Sequence, residues 1–245
     1  MNIKTGTLAV LLSLFYSSFP AFGMDGLVGY WKMNEGEGVT IRDASGKSND
    51  GEIIGNAKWE KDDRGNVLRF DGETSYVNIP QGLWNVEGED ITLLCLFQTD
   101  DLKGRVFDHW MGGAISGAYA LDASGLVVGV GEIENEDWAN LVQYQYRLSL
   151  PVGVGQWHLA EVTIKGSNVS GYLDGQIQGE AEVNRYFYVP GALTIGARGT
   201  SPDLFFSGLI REMAVVDRAL TSEEIEAVQK RYDEGLPLFS EKADQ

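Results

Sequence analysis

The sequence FFSGLIREMAVVDRALTSEEIEAV, residues Phe205 to Val228, combines a strand, a short exit and a helix start. From Leu209 to Val216 the residues are apolar and often β-branched, and Arg211 and Glu212 are the only charges. Such a run predicts a mostly buried β-strand. Gly208 before it predicts a bend.

Side chains of a strand alternate between its two faces, so this run has two predicted faces. One face is expected to carry Leu209, Met213 and Val215. The other is expected to carry Ile210, Glu212, Ala214 and Val216.

A helix is predicted directly after this strand, from about Ser222 to Tyr232. Thr221 and Glu224 have the spacing of a capping box, which satisfies free backbone N–H groups at a helix start. Gly235 is a typical residue just beyond a helix end. The apolar side of the helix consists of Ile225, Val228 and Tyr232, and we expect it to pack on the sheet.

The whole stretch follows the pattern G-x-I-x-E-x-x-x-x-x-R-A-L-(T/S)-x-x-E-I. The matching residues are Gly208, Ile210, Glu212, Arg218, Ala219, Leu220, Thr221, Glu224 and Ile225. This pattern resembles the closing segment of the laminin-G-like jelly roll, a branch of the concanavalin A-like lectin and glucanase superfamily. Further motifs follow in the expected order: Trp31, Asp43 to Gly46, Asn49 to Gly51, Phe70 to Gly72, and Trp157 to Gly175.

The resemblance covers Leu27 to Tyr232. It implies an all-β fold, a two-sheet antiparallel jelly-roll sandwich with a short C-terminal helix. We therefore expect one laminin-G-like domain from 24 to 240, followed by a polar tail from 241 to 245.

The first 23 residues have the features of a secretory signal peptide. Lys4 is their only charge, Leu8 to Phe15 is apolar, and small residues such as Ala21 and Gly23 precede the polar mature chain. The apolar core is shorter than the ~20 residues that a membrane span needs. We expect a secreted protein, extracellular or periplasmic, without a membrane span.

The charge balance is strongly acidic, with 36 acidic and 19 basic residues and a net charge of −17. Phosphates would be repelled, so nucleic acid is not an expected partner.

Cys95 is the single cysteine, and the sequence ITLLCLF places it on one strand face with Ile91, Leu93 and Phe97. We expect a buried structural thiol rather than a nucleophile.

A structural calcium ion is the expected cofactor. The resemblance implies Asp43, Asn49 and Glu212 as ligands, with backbone carbonyls of residues 34–38 and 47–51 completing the oxygen shell that Ca²⁺ prefers. An alternative stays open for Glu212, because a charge on an apolar strand also finds a partner in an ion pair or a cap, for instance with Arg218.

An acidic strand offers an enzymatic alternative. Some glycosidases of the same superfamily use E-(I/L)-D-x-(x)-E on one concave strand, and residues 132–136 read EIENE. Alternation would place Glu132, Glu134 and Glu136 on one face, as a nucleophile, an assisting acid and an acid/base require. The other interpretation is an acidic loop tip in an acidic protein, and no catalytic residue is assigned.

Aromatic residues between Val106 and Leu148 are the predicted ligand-binding surface. The family commonly places its recognition surface there, and aromatic rings stack on the apolar faces of sugars. The assigned residues are Trp110, Tyr119, Trp138 and Tyr144.

The family resemblance, together with the predicted signal peptide, implies a secreted, non-catalytic recognition module for carbohydrate, with a polysaccharide or glycan as partner. One alternative is an extracellular polysaccharide-cleaving enzyme that uses Glu132, Glu134 and Glu136. Another is an adhesion or matrix module that binds a cell-surface or matrix protein, which an apolar surface patch would favour.

Overall fold

A computed structural model describes residues 25–79, 90–108, 118–123, 125–132, 142–148, 150–182, 193–199 and 202–240. These ranges contain β-strands and one α-helix, α1, Ser222–Asp233. The strands are β1 Leu27–Trp31, β2 Thr40–Ile41, β3 Gly51–Ile54, β4 Lys58–Asp62, β5 Gly65–Asp71, β6 Tyr76–Ile79, β7 Asp90–Thr99, β8 Arg105–Asp108, β9 Ala118–Asp122, β10 Gly125–Glu132, β11 Val142–Leu148, β12 Trp157–Lys165, β13 Asn168–Leu173, β14 Gln176–Glu182, β15 Leu193–Ile195 and β16 Ser207–Val216. The predicted signal peptide and the polar tail lie outside the described residues.

The strands form two antiparallel sheets. The first sheet has the order β14-β13-β12-β7-β16-β5-β4, and β1 pairs with the second half of β16. The second sheet has the order β11-β10-β9-β8-β15-β6-β3-β2. Neighbours in these sheets are often far apart in sequence, as β7 and β16 are, which is typical of a jelly roll. The predicted fold class is confirmed.

The core between the two sheets is formed by the inward-facing residues of both. Phe97 and Met213 from the first sheet lie in one cluster with Phe107 and Ile195 from the second. Ile91, Leu93, Cys95 and Phe97 all belong to this cluster, as predicted. Burial raises the pKa of the Cys95 thiol, because a thiolate would lose its hydration there.

The opposite face of the first sheet is covered by α1 and by the C-terminal residues 236–239. Ile225 and Val228 of the helix and Phe239 of the C-terminal segment lie in a second apolar cluster with Leu94 and Leu96. The helix-packing prediction is confirmed.

The predicted capping box is also present. Thr221 Oγ1 accepts a hydrogen bond from Glu224 N, and the Glu224 carboxylate accepts one from Thr221 N at 2.9 Å. Both Nη atoms of Arg218 donate hydrogen bonds to the Glu224 carboxylate, at 2.7 and 2.8 Å. The ion-pair partner of Arg218 is therefore Glu224 and not Glu212.

A β-bulge in β16 changes the predicted face alternation. Ile210 pairs with Phe97 and Glu212 pairs with Leu96, and these two partners are consecutive residues of β7. Arg211, which lies between Ile210 and Glu212, is therefore an extra residue of β16 without a pairing position of its own in β7. Ile210 consequently packs in the core between the sheets with Met213 and Val215, and not on the face of Glu212. The prediction for Ile210 was wrong because a period of two holds only where no bulge interrupts it.

The expected bend at Gly208 is a close approach instead. Gly208 lies inside β16 with φ of +152°, and a Cβ at this position would lie 2.2 Å from the carbonyl oxygen of Gln98. Only glycine fits this backbone and this spacing.

In the described part of the chain, no helix is long and apolar enough to cross a membrane.

Candidate functional site

Two of the four predicted aromatic residues lie near one edge of the second sheet, which is formed by β11, β10 and β9. Tyr119 of β9 pairs with Val128 of β10, and Tyr144 of β11 pairs with Val130. The two tyrosines therefore flank β10 from its two sides, at positions two residues apart. Trp110 and Trp138 lie outside the described residues.

The acidic strand is only partly described. Glu132 is the last residue of β10 and pairs with Val142. Glu134 and Glu136 lie outside the described residues, so the proposed carboxylate triplet stays a prediction.

Asp43 holds a loop against the first strand. Its Oδ1 accepts hydrogen bonds from Tyr30 N at 3.0 Å and from Ser45 N at 2.8 Å. Its Oδ2 accepts from Ser45 Oγ at 2.8 Å and from Asn49 N at 2.9 Å. Two oxygens with about four lone-pair positions thus receive four hydrogen bonds. A cation at Asp43 would have to displace some of them.

Asn49 connects the same loop to β1. Its side-chain Nδ2 donates a hydrogen bond to Val28 O at 2.8 Å, and its backbone carbonyl oxygen accepts one from Trp31 Nε1 at 2.8 Å. Asp43 and Asn49 therefore lie together, as the calcium prediction requires, and each already has a structural role in this arrangement.

Glu212 lies apart from that pair. Its Oε2 accepts hydrogen bonds from the Tyr30 hydroxyl and from Leu238 N. Burial raises the pKa of Glu212, while these hydrogen bonds oppose the shift. Since Asp43 contacts the Tyr30 backbone and Glu212 contacts its phenol, the length of a tyrosine separates the two carboxylates.

The three predicted ligands therefore do not converge on one point in this arrangement. Among the described residues, no group of three or more His, Cys, Asp or Glu side chains is placed to hold a metal ion. Calcium binding stays a prediction.

A wide cleft opens beside the loop of residues 34–38, and we call it the loop cleft. Its volume is about 980 Å³. The loop is fixed by Glu35 Oε1, which accepts from Arg42 N at 2.8 Å, and by Trp59 Nε1, which donates to Gly38 O at 3.0 Å. The cleft is lined by Lys32, Asn34, Glu35, Glu37, Gly38, Val39, Thr40, Arg42, Asp43 and Ala44.

A smaller pocket of about 110 Å³ adjoins this cleft, and we call it the basic pocket. Lys32 and Asn34 line both. The basic pocket lies between the bulge of β16 and the end of α1. It is lined by Lys32, Asn34, Arg64, Asn66, Leu96, Arg211, Glu212, Tyr232, Gly235, Leu236 and Pro237.

Sequence reasoning did not find this pair of cavities. The loop of residues 34–38 and Asp43 were singled out for calcium, and Glu212 for the same site, yet Asp43 lines the loop cleft and Glu212 lines the basic pocket. The one available signal was Arg211, a second charge on an apolar strand, whose orientation depends on the bulge.

Together, the two antiparallel sheets and their strand order define a jelly-roll domain, and an open polar cleft lies on its surface. A sequence profile described as the concanavalin A-like lectin/glucanases superfamily, of laminin-G type, matches residues 71–226. The chain belongs to this family. Among curated proteins, no sequence matches the chain significantly.

Solved structures with the same fold include receptor-binding domains of botulinum neurotoxins. The binding domain of botulinum neurotoxin DC in complex with SialylT has a TM-score of 0.63 at 14% identity, and the match covers 84% of this chain and 52% of that one. The same domain in complex with rat synaptotagmin II has a TM-score of 0.64 at 14% identity, with the same coverage. The chain thus spans about half the length of these domains.

A third similar structure is close to this chain in size. It is domain 4 of AbnA, a GH43 extracellular arabinanase from Geobacillus stearothermophilus, in complex with arabinotriose. Its TM-score is 0.59 at 16% identity, and the match covers 82% of this chain and 97% of that domain. At these identities the similarity shows the fold alone.

Proposed function

We propose that this chain is a secreted, non-catalytic recognition module that binds carbohydrate. The observation that carries the proposal is membership of the concanavalin A-like lectin/glucanase superfamily. It is supported by the match to nearly the whole of an arabinanase domain whose structure contains arabinotriose. That domain and the neurotoxin domains share the fold of this chain.

The loop cleft has the chemistry that a saccharide needs. Carboxylates, such as those of Glu35 and Glu37, accept hydrogen bonds from sugar hydroxyls, and an amide, such as that of Asn34, both donates and accepts them. Its volume of about 980 Å³ lies at the upper end of the usual range for ligand sites, which is roughly 300–1,000 Å³. The cleft can therefore accommodate more than one sugar residue.

A glycan panel tests the proposal. The purified protein is screened against neutral and acidic polysaccharides, and each hit is measured by isothermal titration calorimetry. Two variants then show which region binds the glycan: Glu37→Gln in the loop cleft and Tyr119→Ala on the predicted aromatic surface. The variant in the binding region should bind the glycan about tenfold more weakly, which corresponds to about 1.4 kcal/mol of lost contacts. Lys103→Gln, with a side chain 84% exposed, is the control.

Two results would contradict a non-catalytic glycan-binding role. One is reducing-sugar release from a polysaccharide that Glu132→Gln or Glu136→Gln abolishes, which would identify an enzyme. The other is the absence of binding to every glycan in the panel, and saturable binding to a cell-surface protein would then identify an adhesion or matrix module.

The calcium prediction is tested separately by thermal melting with and without a chelator. Calcium at 100 times its dissociation constant would stabilise the fold by about 2.7 kcal/mol if it bound only the native state. Since each kcal/mol shifts the midpoint of a domain of this size by roughly 2–4 °C, chelation would lower Tm by about 5–11 °C. An unchanged Tm, with no calcium in the purified protein, would remove calcium from the proposal.

A further inference from the structure

The basic pocket reverses the charge balance of the chain. The whole sequence has 36 acidic and 19 basic residues. Three basic side chains, Lys32, Arg64 and Arg211, line the basic pocket against one acid, Glu212. A local excess of positive charge in an acidic protein favours an anionic ligand at this position.

Arg211 is buried and has hydrogen-bonding capacity to spare. The residue is 7% exposed, and its Nη2 forms an ion pair with Asp62. Its Nη1 has a long contact of 3.5 Å to Asn66 O. A guanidinium carries five N–H donors, and no other acceptor for them lies among the described residues. A ligand oxyanion in the pocket that Arg211 lines would supply one.

The two guanidinium groups are held by aromatic rings. The Arg211 Cζ lies 4.9 Å from the centre of the Trp157 ring, and the Arg64 Cζ lies 4.6 Å from that of Tyr232. Arg64 Nη1 also donates to Tyr232 O at 3.1 Å. Such stacking fixes the donors before a ligand arrives, so less entropy is lost on binding.

The β-bulge allows two consecutive residues of β16 to line this pocket. Arg211 is the extra residue of β16, and it lines the pocket together with its neighbour Glu212. In a regular strand, consecutive residues lie on opposite faces. Bulges of this kind commonly re-aim a side chain next to a functional site.

The volume of the pocket restricts the ligand group. At about 110 Å³, it is much smaller than the adjoining loop cleft of about 980 Å³. The pocket therefore suits a small group such as a carboxylate, and the cleft has the room for a sugar ring. Because the loop cleft shares Lys32 and Asn34 with the pocket, a ring attached to that carboxylate would lie in the cleft.

We infer that the basic pocket binds the carboxylate of an acidic sugar residue, while the remainder of the saccharide lies in the loop cleft. The inference rests on the proposed carbohydrate-binding function and specifies the class of glycan. Arg211 and Arg64 supply the charged donors, and Arg211 offers the planar fork that suits a carboxylate. Glu212 opposes the anion, but its Oε2 is engaged by Tyr30 and Leu238.

Calorimetric titration with matched ligands tests the inference. The probes are trigalacturonic acid, a glucuronate-containing hyaluronan tetrasaccharide, and the methyl ester of each, which removes the charge. At least one acid should bind about tenfold or more tightly than its ester, because a hydrogen bond to a charged group contributes about 1.5–3 kcal/mol. A sulfated oligosaccharide is the third arm.

Variants assign the preference to the pocket. Arg64→Gln removes an exposed guanidinium, and Arg211→Lys keeps the charge but removes the fork. Each variant should weaken binding of the acid by about tenfold and leave binding of the ester unchanged. Lys103→Gln, an exposed cation outside the pocket, should change neither. Thermal melting confirms that Arg211→Lys remains folded, and Arg64→Gln provides the test if it does not.

The outcomes separate this inference from the proposed function. Equal binding of acid and ester, tighter binding of the sulfated probe, or an acid preference that survives both variants contradicts the inference alone. Binding of neutral glycans without binding of either acid has the same meaning. If no glycan binds at all, both are wrong.

Discussion

Two buried glutamates on one face of the first sheet have opposite surroundings. Glu161 of β12 pairs with Leu94, and Glu212 of β16 pairs with Leu96, so the two acids flank β7 from its two sides. Glu161 is 0% exposed and Glu212 is 6% exposed. Glu212 accepts hydrogen bonds from the Tyr30 hydroxyl and Leu238 N. Neither oxygen of Glu161 has a hydrogen-bond partner in the ranges that the structure describes.

This difference shows that equal burial leads to unequal consequences. Burial raises the pKa of both carboxyl groups, and the charge of Asp174 raises that of Glu161 further. Glu212 links β1, β16 and the C-terminal segment through its partners, so it contributes to stability. Among the described residues Glu161 has no such partner, and a buried polar group without one is unfavourable, so this residue adds only the cost of its burial.

The largest expected effect is a loss of stability in Glu212→Met. Methionine fills a similar volume but accepts no strong hydrogen bond, so Tyr30 and Leu238 each lose an acceptor. At about 1–3 kcal/mol for each buried unsatisfied group, the free energy of unfolding should fall by about 2–6 kcal/mol. Denaturant titration measures this change. The exposed Glu226→Met is the control and should stay within about 0.5 kcal/mol of the parent protein.

A smaller loss is expected for Tyr30→Phe. Burial, and then the charge of Glu212, raise the pKa of the Tyr30 hydroxyl, so it stays protonated and donates to that carboxylate. Phenylalanine retains the edge contact with Phe239, whose ring centre lies 5.4 Å away. The variant should therefore lose only the hydrogen bond, about 1.5–3 kcal/mol for a charged acceptor. A change below about 0.5 kcal/mol would show that Glu212 is not anchored through Tyr30.

The sequence predicted the fold well because the fold depends on local patterns. The capping box at Thr221, the apolar helix side at Ile225 and Val228, and the alternation around Cys95 each need only a few neighbouring residues. All three are present in the structure. The family motifs then implied the two-sheet jelly-roll sandwich that these elements form.

The candidate site was less predictable because it depends on contacts between distant residues. Tyr30 connects Asp43 to Glu212 through its two ends, and no spacing in the sequence reveals that link. The basic pocket depends on one extra residue in β16, and a single inserted position leaves the composition of the strand unchanged. Arg64 reaches the pocket from the turn between β4 and β5.

The contribution of Glu161 should have the opposite sign to that of Glu212. Glu161→Met removes a buried carboxyl whose oxygens have no partner among the described residues, and it keeps a similar volume. We expect the free energy of unfolding to rise by about 1–3 kcal/mol at neutral pH, as measured by denaturant titration. A loss of more than about 1 kcal/mol would show that Glu161 has a stabilising partner and would end the contrast between the two acids.

The pH dependence of stability tests the same contrast without a change of side-chain shape. The folded pKa of Glu161 is raised above its ordinary value of 4.5, so the native state holds the proton more tightly than the unfolded state does. The resulting stability is fully present below about pH 4.5 and is lost as the pH rises through the folded pKa. Glu161→Gln cannot lose that proton, so the stability of the variant relative to the parent protein should increase as the pH rises above about 4.5. A difference between the two proteins that stays constant from pH 4 to pH 8 would mean that Glu161 is charged at neutral pH and has found a partner.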